Sequence, residues 1–300
     1  MAVVINTNVD SLKIQSLLTN STNKMSQSMQ RMSSGLKILS AKDDAAGTVI
    51  SAKMNVQLNG NQTAQKNVQN ANALLSTVEG NLDVVEDNVS RIRDLTLQAK
   101  NGTYSSSEIK AMQDEVDQRV EEINRISKSA KYSSLGLFGG DLATSGLTFQ
   151  VGADAGENNT IKADGKLFKT VEFSVLTGTA SKKFDLTALK NSATVTFTST
   201  VASAQTGDTD FDVAIRALDA AITDITDRKS IIGSAGNRMD SALSTLTTQY
   251  ENLSSAKSII TDADVAAEAS NFTQQQILQQ VSTSLLAQAN QAPSIALSLV

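Results

Sequence analysis

From Val68 the apolar positions of this chain advance by alternating steps of three and four: Val68, Ala71, Leu75, Val78, Leu82, Val85, Val89 and Ile92. Such steps keep one stripe of side chains on a single helix face, and the sevenfold repeat they build marks a seam packed against another helix. The spacing predicts a helix over about residues 46 to 99, roughly 80 Å long at about 1.5 Å per residue. The turn residues of "NGTYSSSE" end it. A second helix follows with Ile109, Met112, Val116, Val120, Ile123 and Ile126, and it carries Glu115 with Arg119 and Glu121 with Arg125, spaced to pair across one turn. The distal half repeats the pattern through Leu218, Ile222, Ile225, Ile232, Met239, Leu243, Leu246, Tyr250, Leu253 and Ile260, interrupted by Lys229, Gly236 and Lys257. These three are either register markers or points where the seam has turned to solvent. The drift of a straight helix against a seven-residue repeat favours the second reading.

Residues 141 to 205 follow another rule. "GLTFQVG", "KLFKTVEFSVLTG" and "SATVTFTSTV" are β-branched and partly alternating, with Gly, Asp, Asn and Ser between them. The predicted fold is therefore mainly α: long heptad-patterned coiled-coil helices from both chain ends forming a helical bundle, with a small β-hairpin insert in the middle. Two helix starts read as capping boxes, Ser40 with Asp43 in "SAKDDAAG" and Thr261 with Asp264 in "TDADVAAE". The same acidic residues could instead hold a metal or act as an acid–base pair, but neither cluster has a third ligand or a substrate-shaping motif beside it.

Composition supports helices joined through narrow seams over one large globular core, because aromatic residues make up 4% of the chain and Trp is absent. A formal charge of −5 leaves little electrostatic footprint for nucleic acid. No apolar run reaches the roughly 18 residues of a membrane span, and the N-terminus "MAVVINTNVDSLKIQS" lacks the pattern of a Sec-type signal. With neither Cys nor His, thiol catalysis, disulfides, the commonest zinc ligands and imidazole acid–base chemistry are excluded. "GSAGNR" lacks the lysine and spacing of a phosphate loop, and the Asn-x-Ser/Thr matches are those expected by chance from a chain rich in these residues. The reading is of a chain with no catalytic residue, no metal site and no cofactor. Its last stretch, "TSLLAQANQAPSIALSLV", carries Leu285, Leu286, Ile295, Leu297, Leu299 and Val300, more apolar surface than a soluble chain leaves uncovered at its end.

Longer blocks carry a resemblance. "INTNVDSLKIQ", "SMQRMSSGLKILSAKDDAAG" and "NVQNANALLSTVEGNL" resemble the N-terminal region of bacterial flagellin, the subunit of the flagellar filament, and "GNRMDSALSTLTTQYENLSSAKSIITDADVAAEASNFTQQQILQQVSTSLLAQANQAP" resembles its C-terminal region. Met32, Leu39, Ile259 and Phe272 depart from the usual residues, and none of them removes a heptad position. The resemblance implies that residues 1–40 and 256–300 pair as the inner filament-core coiled coil. It places 41–140 and 206–255 in an outer-core bundle, with 141–205 as a short insert.

It further implies a secreted homopolymer for swimming motility, located in the extracellular filament. Leu285, Leu286 and Leu297 would then be assembly residues, in a tail disordered before assembly and held by an export chaperone. A filament cap and hook-junction proteins would be further partners. Arg91, Leu95 and Glu115 stand where the family contacts Toll-like receptor 5. Two alternatives accompany this reading: a hook–filament junction protein, and an enzyme built on a flagellin-like scaffold.

Overall fold

The computed structural model describes residues 8–139, 141–170 and 210–297, with the side chains of 210 and 292–297 excepted. In chain order its elements are α1 (Val9–Ser34), α2 (Ala45–Lys100), α3 (Ser106–Ser129), β1 (Lys131–Tyr132), β2 (Leu135–Gly136), α4 (Leu142–Ser145), β3 (Leu147–Gln150), β4 (Thr160–Ala163), α5 (Asp210–Thr261) and α6 (Val265–Leu297). Short 3-10 turns occupy Glu157–Asn159 and Gly165–Phe168. The protein is mainly α, with long helices from both ends and small antiparallel hairpins between them. It divides into two compact units, one made of residues up to 59 and from 249 onward, the other of residues 60–248. α2 and α5 contribute to both.

In the second unit, all eight residues of the seam from Val68 to Ile92 are buried, and Leu218, Ile225, Ile232, Met239 and Leu246 of α5 join them in one core with Ile109, Val116 and Ile123 of α3. α3 begins with a full capping box: Ser105 Oγ accepts the Glu108 amide while the Glu108 carboxylate accepts the Ser105 amide. "NGTYSSSE" thus both ends one helix and starts the next.

β1 and β2 form a tight hairpin that pairs Tyr132 with Leu135, a feature too short to announce itself by alternation. β3 and β4 pair Leu147 with Ala163 through Gln150 with Thr160. Gly146 enters this hairpin at φ 67, where a Cβ would lie 2.2 Å from the Ala163 carbonyl oxygen, so only glycine fits. The predicted strand "KLFKTVEFSVLTG" starts instead as a 3-10 turn whose Leu167 and Phe168 are buried in the core. Apolar burial on a turn and on a strand look alike over three residues. Its continuation, and "SATVTFTSTV", lie outside the described residues.

Lys229 corrects a second expectation. It is half-buried, and its ammonium bridges Asp83 at 2.7 Å and Glu86 at 2.9 Å on α2, so the interruption of the seam is a cross-helix ion pair and not drift to solvent. Gly236 is compatible with drift, for a Cβ there would meet nothing within 4 Å.

In the first unit α1 and α6 lie antiparallel. The Asn8 side-chain Nδ2 donates to the Ala289 carbonyl at 2.8 Å, and at the other end the Arg31 guanidinium meets the Glu268 carboxylate at 3.0 Å. The pair is tied where the chain turns: the Lys37 amide donates to the Thr261 carbonyl and the Ala263 amide to that of Gly35, which ends α1 in the left-handed conformation at φ 71.

Both expected capping boxes are displaced. α2 is capped by Asp44, whose Oδ1 accepts the Gly47 amide at 2.9 Å. Asp43 instead closes the preceding turn on the Leu39 and Ser40 amides and the Ser40 hydroxyl. These hydrogen bonds, the Ser40 amide first, hold the Asp43 carboxyl below its usual range. α6 is capped by Asp264, which accepts the Ala266 and Ala267 amides, while Thr261 donates back to Lys257 as the last residue of α5.

Candidate assembly and recognition surfaces

The pairing of α1 with α6 leaves many large apolar side chains of both helices outside. Among its buried residues are Ser21 and Ser28 of α1 and Glu268 and Ser282 of α6, all small or polar. Ile14, Leu18, Met25 and Met32 of α1 and Phe272 of α6 are half-buried at the same spacing of three and four, while Val9 (55% exposed), Leu12 (59%), Leu17 (60%) and Met29 on α1 and Ile277 (54%), Leu278, Val281 and Leu285 (46%) on α6 stand outside. Leu286 is half-buried, and the side chain of Leu297 lies outside those described. Small residues at Ser21, Ser28 and Ser282 narrow the seam, so the pair holds together while Leu12, Leu17, Leu278 and Leu285 stay exposed. The α1 half of this surface was missed in the sequence, although "VDSLKIQSLL" carries the apolar residues that compose it.

Glu268 anchors the seam. Burial alone would push its carboxyl up, but hydrogen bonds from Ser28, Arg31 and Asn271, together with the Arg31 charge, hold it below its ordinary value. Removing Arg31 would therefore leave a carboxylate that is buried and short of one partner.

Arg91, Leu95 and Glu115 lie in the other unit, on α2 and α3. The Arg91 guanidinium grips Glu115 with two parallel bonds, Nε to Oε1 at 2.8 Å and Nη2 to Oε2 at 3.2 Å. Arg119 approaches the same carboxylate at 3.4 Å and donates to the Asn88 side chain at 3.0 Å. The Arg91 hydrogen bond and charge lower the Glu115 carboxyl, and the Glu115 hydrogen bond and charge in turn raise the Arg91 guanidinium above its ordinary value. Both side chains of the fork remain open to solvent, at 42% and 35%. Leu95 is 2% exposed and packs in the core.

Sequence spacing paired Glu115 with Arg119 on its own helix; the two-bond partner is Arg91, 24 residues away in the chain. On the same helix Arg125 also forms an ion pair one turn away with Glu122, at 2.6 Å.

Among the described residues no three acidic side chains come together to hold a metal, and no helix is long and apolar enough to cross a membrane. What the arrangement offers chemically is contact area, charge and hydrogen-bonding edges.

Residues 5–143 match the family model of the bacterial flagellin N-terminal helical region, and residues 215–300 that of the C-terminal helical region. The chain is 37% identical over 316 residues to a flagellin of Xenorhabdus nematophila, covering 100% of both. It is 33% identical over 311 residues to a flagellin of Bacillus subtilis (strain 168), covering 99% of both. The crystal structure of Bacillus cereus flagellin aligns with a TM-score of 0.43 at 25% identity, covering 64% of this chain and 94% of that one.

Proposed function

Because the chain belongs to the bacterial flagellin family and is a structural subunit of the flagellar filament, we propose that the outward apolar faces of α1 and α6 are the surface by which copies join. Members of the family are structural proteins, which sets aside the reading of an enzyme on this scaffold, and the homologues form the extracellular filament.

The observation that carries the proposal is the apolar surface this pair leaves uncovered: Val9, Leu12, Leu17 and Met29 on α1 and Ile277, Leu278, Val281 and Leu285 on α6. An apolar face of this extent needs a cover, and a subunit whose contact surfaces are heterologous and non-closing supplies that cover by stacking copies into an open helix. Residues 1–40 and 256–300 then form the inner core of the filament, and 41–140 with 206–255 the outer core. Leu285, Leu286 and Leu297 belong to the inner contact. Before assembly an export chaperone covers the same residues during secretion, and the filament cap and hook-junction proteins meet the ends of the polymer.

The test is seeded growth followed by electron microscopy. Replacing Leu285, Leu286 and Leu297 together by Asp puts carboxylates into an apolar contact and abolishes elongation, while the monomer keeps its helical content by circular dichroism. Elongation at the unaltered rate refutes the assembly role.

The exposed fork of Arg91 and Glu115 supports recognition of the monomer by Toll-like receptor 5, with Leu95 acting from below by fixing α2 under Arg91. Arg91→Ala and Glu115→Ala should each weaken signalling in a reporter cell without lowering the melting temperature in proportion. Signalling that merely tracks stability, or unaltered monomer that stays silent, sinks this part of the proposal.

A further inference from the structure

The seam of α2 and α5 repeats every seven residues without distinction. Val68, Leu75, Leu82 and Val89 form one row, Ala71, Val78, Val85 and Ile92 a second, and Leu218, Ile225, Ile232, Met239 and Leu246 the facing row, all buried. Ile109, Val116 and Ile123 of α3 repeat at the same interval. Sliding α2 past α5 by seven residues therefore lays the same kinds of apolar side chain against each other. Hydrophobic burial does not distinguish such registers, because it is non-directional and scales with area.

The polar bonds between the two helices do distinguish them. Asn72 donates to Asp240 at 2.9 Å, Asp83 pairs with Lys229 at 2.7 Å, and Arg93 and Lys100 pair with Asp219 and Asp212. The two numbers of each pair add to 312: 72 with 240, 83 with 229, 93 with 219, 100 with 212. Four bonds across about 40 Å of helix thus mark a single antiparallel register without a skip. Glu86 adds a second carboxylate to Lys229 at 2.9 Å, one turn along from Asp83.

Consider the two nearest slips. Displaced by seven residues one way, Arg93 still meets an acid in Asp212, but Glu86 comes opposite Asp219 and Lys229 opposite Ser76. Displaced the other way, Lys100 meets Asp219, but Glu79 comes opposite Asp240 and Lys229 opposite Ser90. In both cases Lys229 loses Asp83 and Glu86 and a pair of acids is brought together; in the first slip Glu79 takes the place of Glu86 alone, and in the second Arg93 takes it.

We infer that this charge ladder, centred on Lys229, selects the register of α2 against α5 that the apolar seam leaves degenerate. In coiled coils the residues flanking a seam set orientation and register in this way, at little gain in stability. The same selection acts at every copy, so every subunit entering a filament carries its two long helices in one alignment.

The chain contains no cysteine, so introduced thiols are the sole labelling sites. Nitroxides on Ala73→Cys of α2 and Thr226→Cys of α5, both exposed, report the alignment by pulsed electron paramagnetic resonance on the monomer. A slip of one heptad changes the axial component of their separation by about 10 Å. With the ladder intact one distance is expected. Lys229→Glu should add a second population displaced from the first, and combining it with Asp83→Lys and Glu86→Lys should restore the single distance. A single native distance in Lys229→Glu, with only a lower melting temperature, overturns the inference and reduces the ladder to ordinary ion pairs. If Lys229→Glu does not fold, the triple variant decides: one native distance supports register selection, and a scattered distribution refutes it.

Discussion

Truncating Leu12 and Leu285 to alanine isolates the assembly surface from the fold. In the single chain these side chains are 59% and 46% exposed, so about half of each leucine is still to be buried when subunits meet. Complete burial of a leucine is worth about 1.5 to 3 kcal/mol, and truncation forgoes most of the outstanding half, or about 1 kcal/mol per residue. The double variant therefore loses about 2 kcal/mol for each subunit added, which is about a 25-fold weaker equilibrium constant.

The critical concentration for polymerisation, measured by sedimenting filaments at steady state, should rise by the same factor. The monomer should unfold within about 0.5 kcal/mol of the unaltered chain, as surface substitutions ordinarily do. A critical concentration within about threefold of the unaltered protein would show that this face stays solvated in the filament and that the reasoning from exposure is wrong. A large loss of monomer stability would instead place the two leucines in the pairing of α1 with α6.

Two further predictions concern the carboxylates. Glu268 has a folded-state value below its ordinary 4.5, so its contribution is present in full above that pH and disappears as pH falls through the lower folded value. The stability difference between the unaltered chain and Glu268→Gln, followed by amide exchange in α1 and α6, should be flat from pH 6 to 8 and shrink below about 4.5; a difference independent of pH down to 3 would refute it. At the start of α2, Asp44→Ala should cost about 0.5 to 2 kcal/mol through loss of the helix cap. Ser40→Ala should cost less, since Ser40 serves the preceding turn; equal effects in thermal unfolding would return the cap to Ser40.

The seam from Val68 to Ile92 was legible in the sequence because helical periodicity is local: steps of three and four place side chains on one face whatever that face meets. All eight residues are buried as the pattern requires. Leu95, which the resemblance offers as a receptor contact, is instead buried in the core beyond the end of that seam. The breaks at "NGTYSSSE" and the terminal blocks that identify the family were readable for similar reasons. They depend on neighbours in the chain.

What the sequence left open depended on residues far apart in it. Lys229 reads as a gap in the heptad until its partners arrive from a helix more than 140 positions earlier. Glu115 has an arginine one turn away and a better one 24 residues back, and helix spacing describes only the first. Asp43 and Asp44 are chemically identical, so which of them caps α2 was decided by how the turn after Ile38 folds.

The largest reversal is in α1 and α6, where Leu12 and Leu17 look like core residues by type yet face outward while Ser21 and Ser28 line the seam. Hydrophobicity along a chain determines which residues seek cover. Only the tertiary arrangement decides which of them find cover within the chain, because one partner helix covers one stripe: Ile14, Leu18, Met25 and Met32 are half-buried with Ser21 and Ser28, and Leu12 and Leu17 are left out.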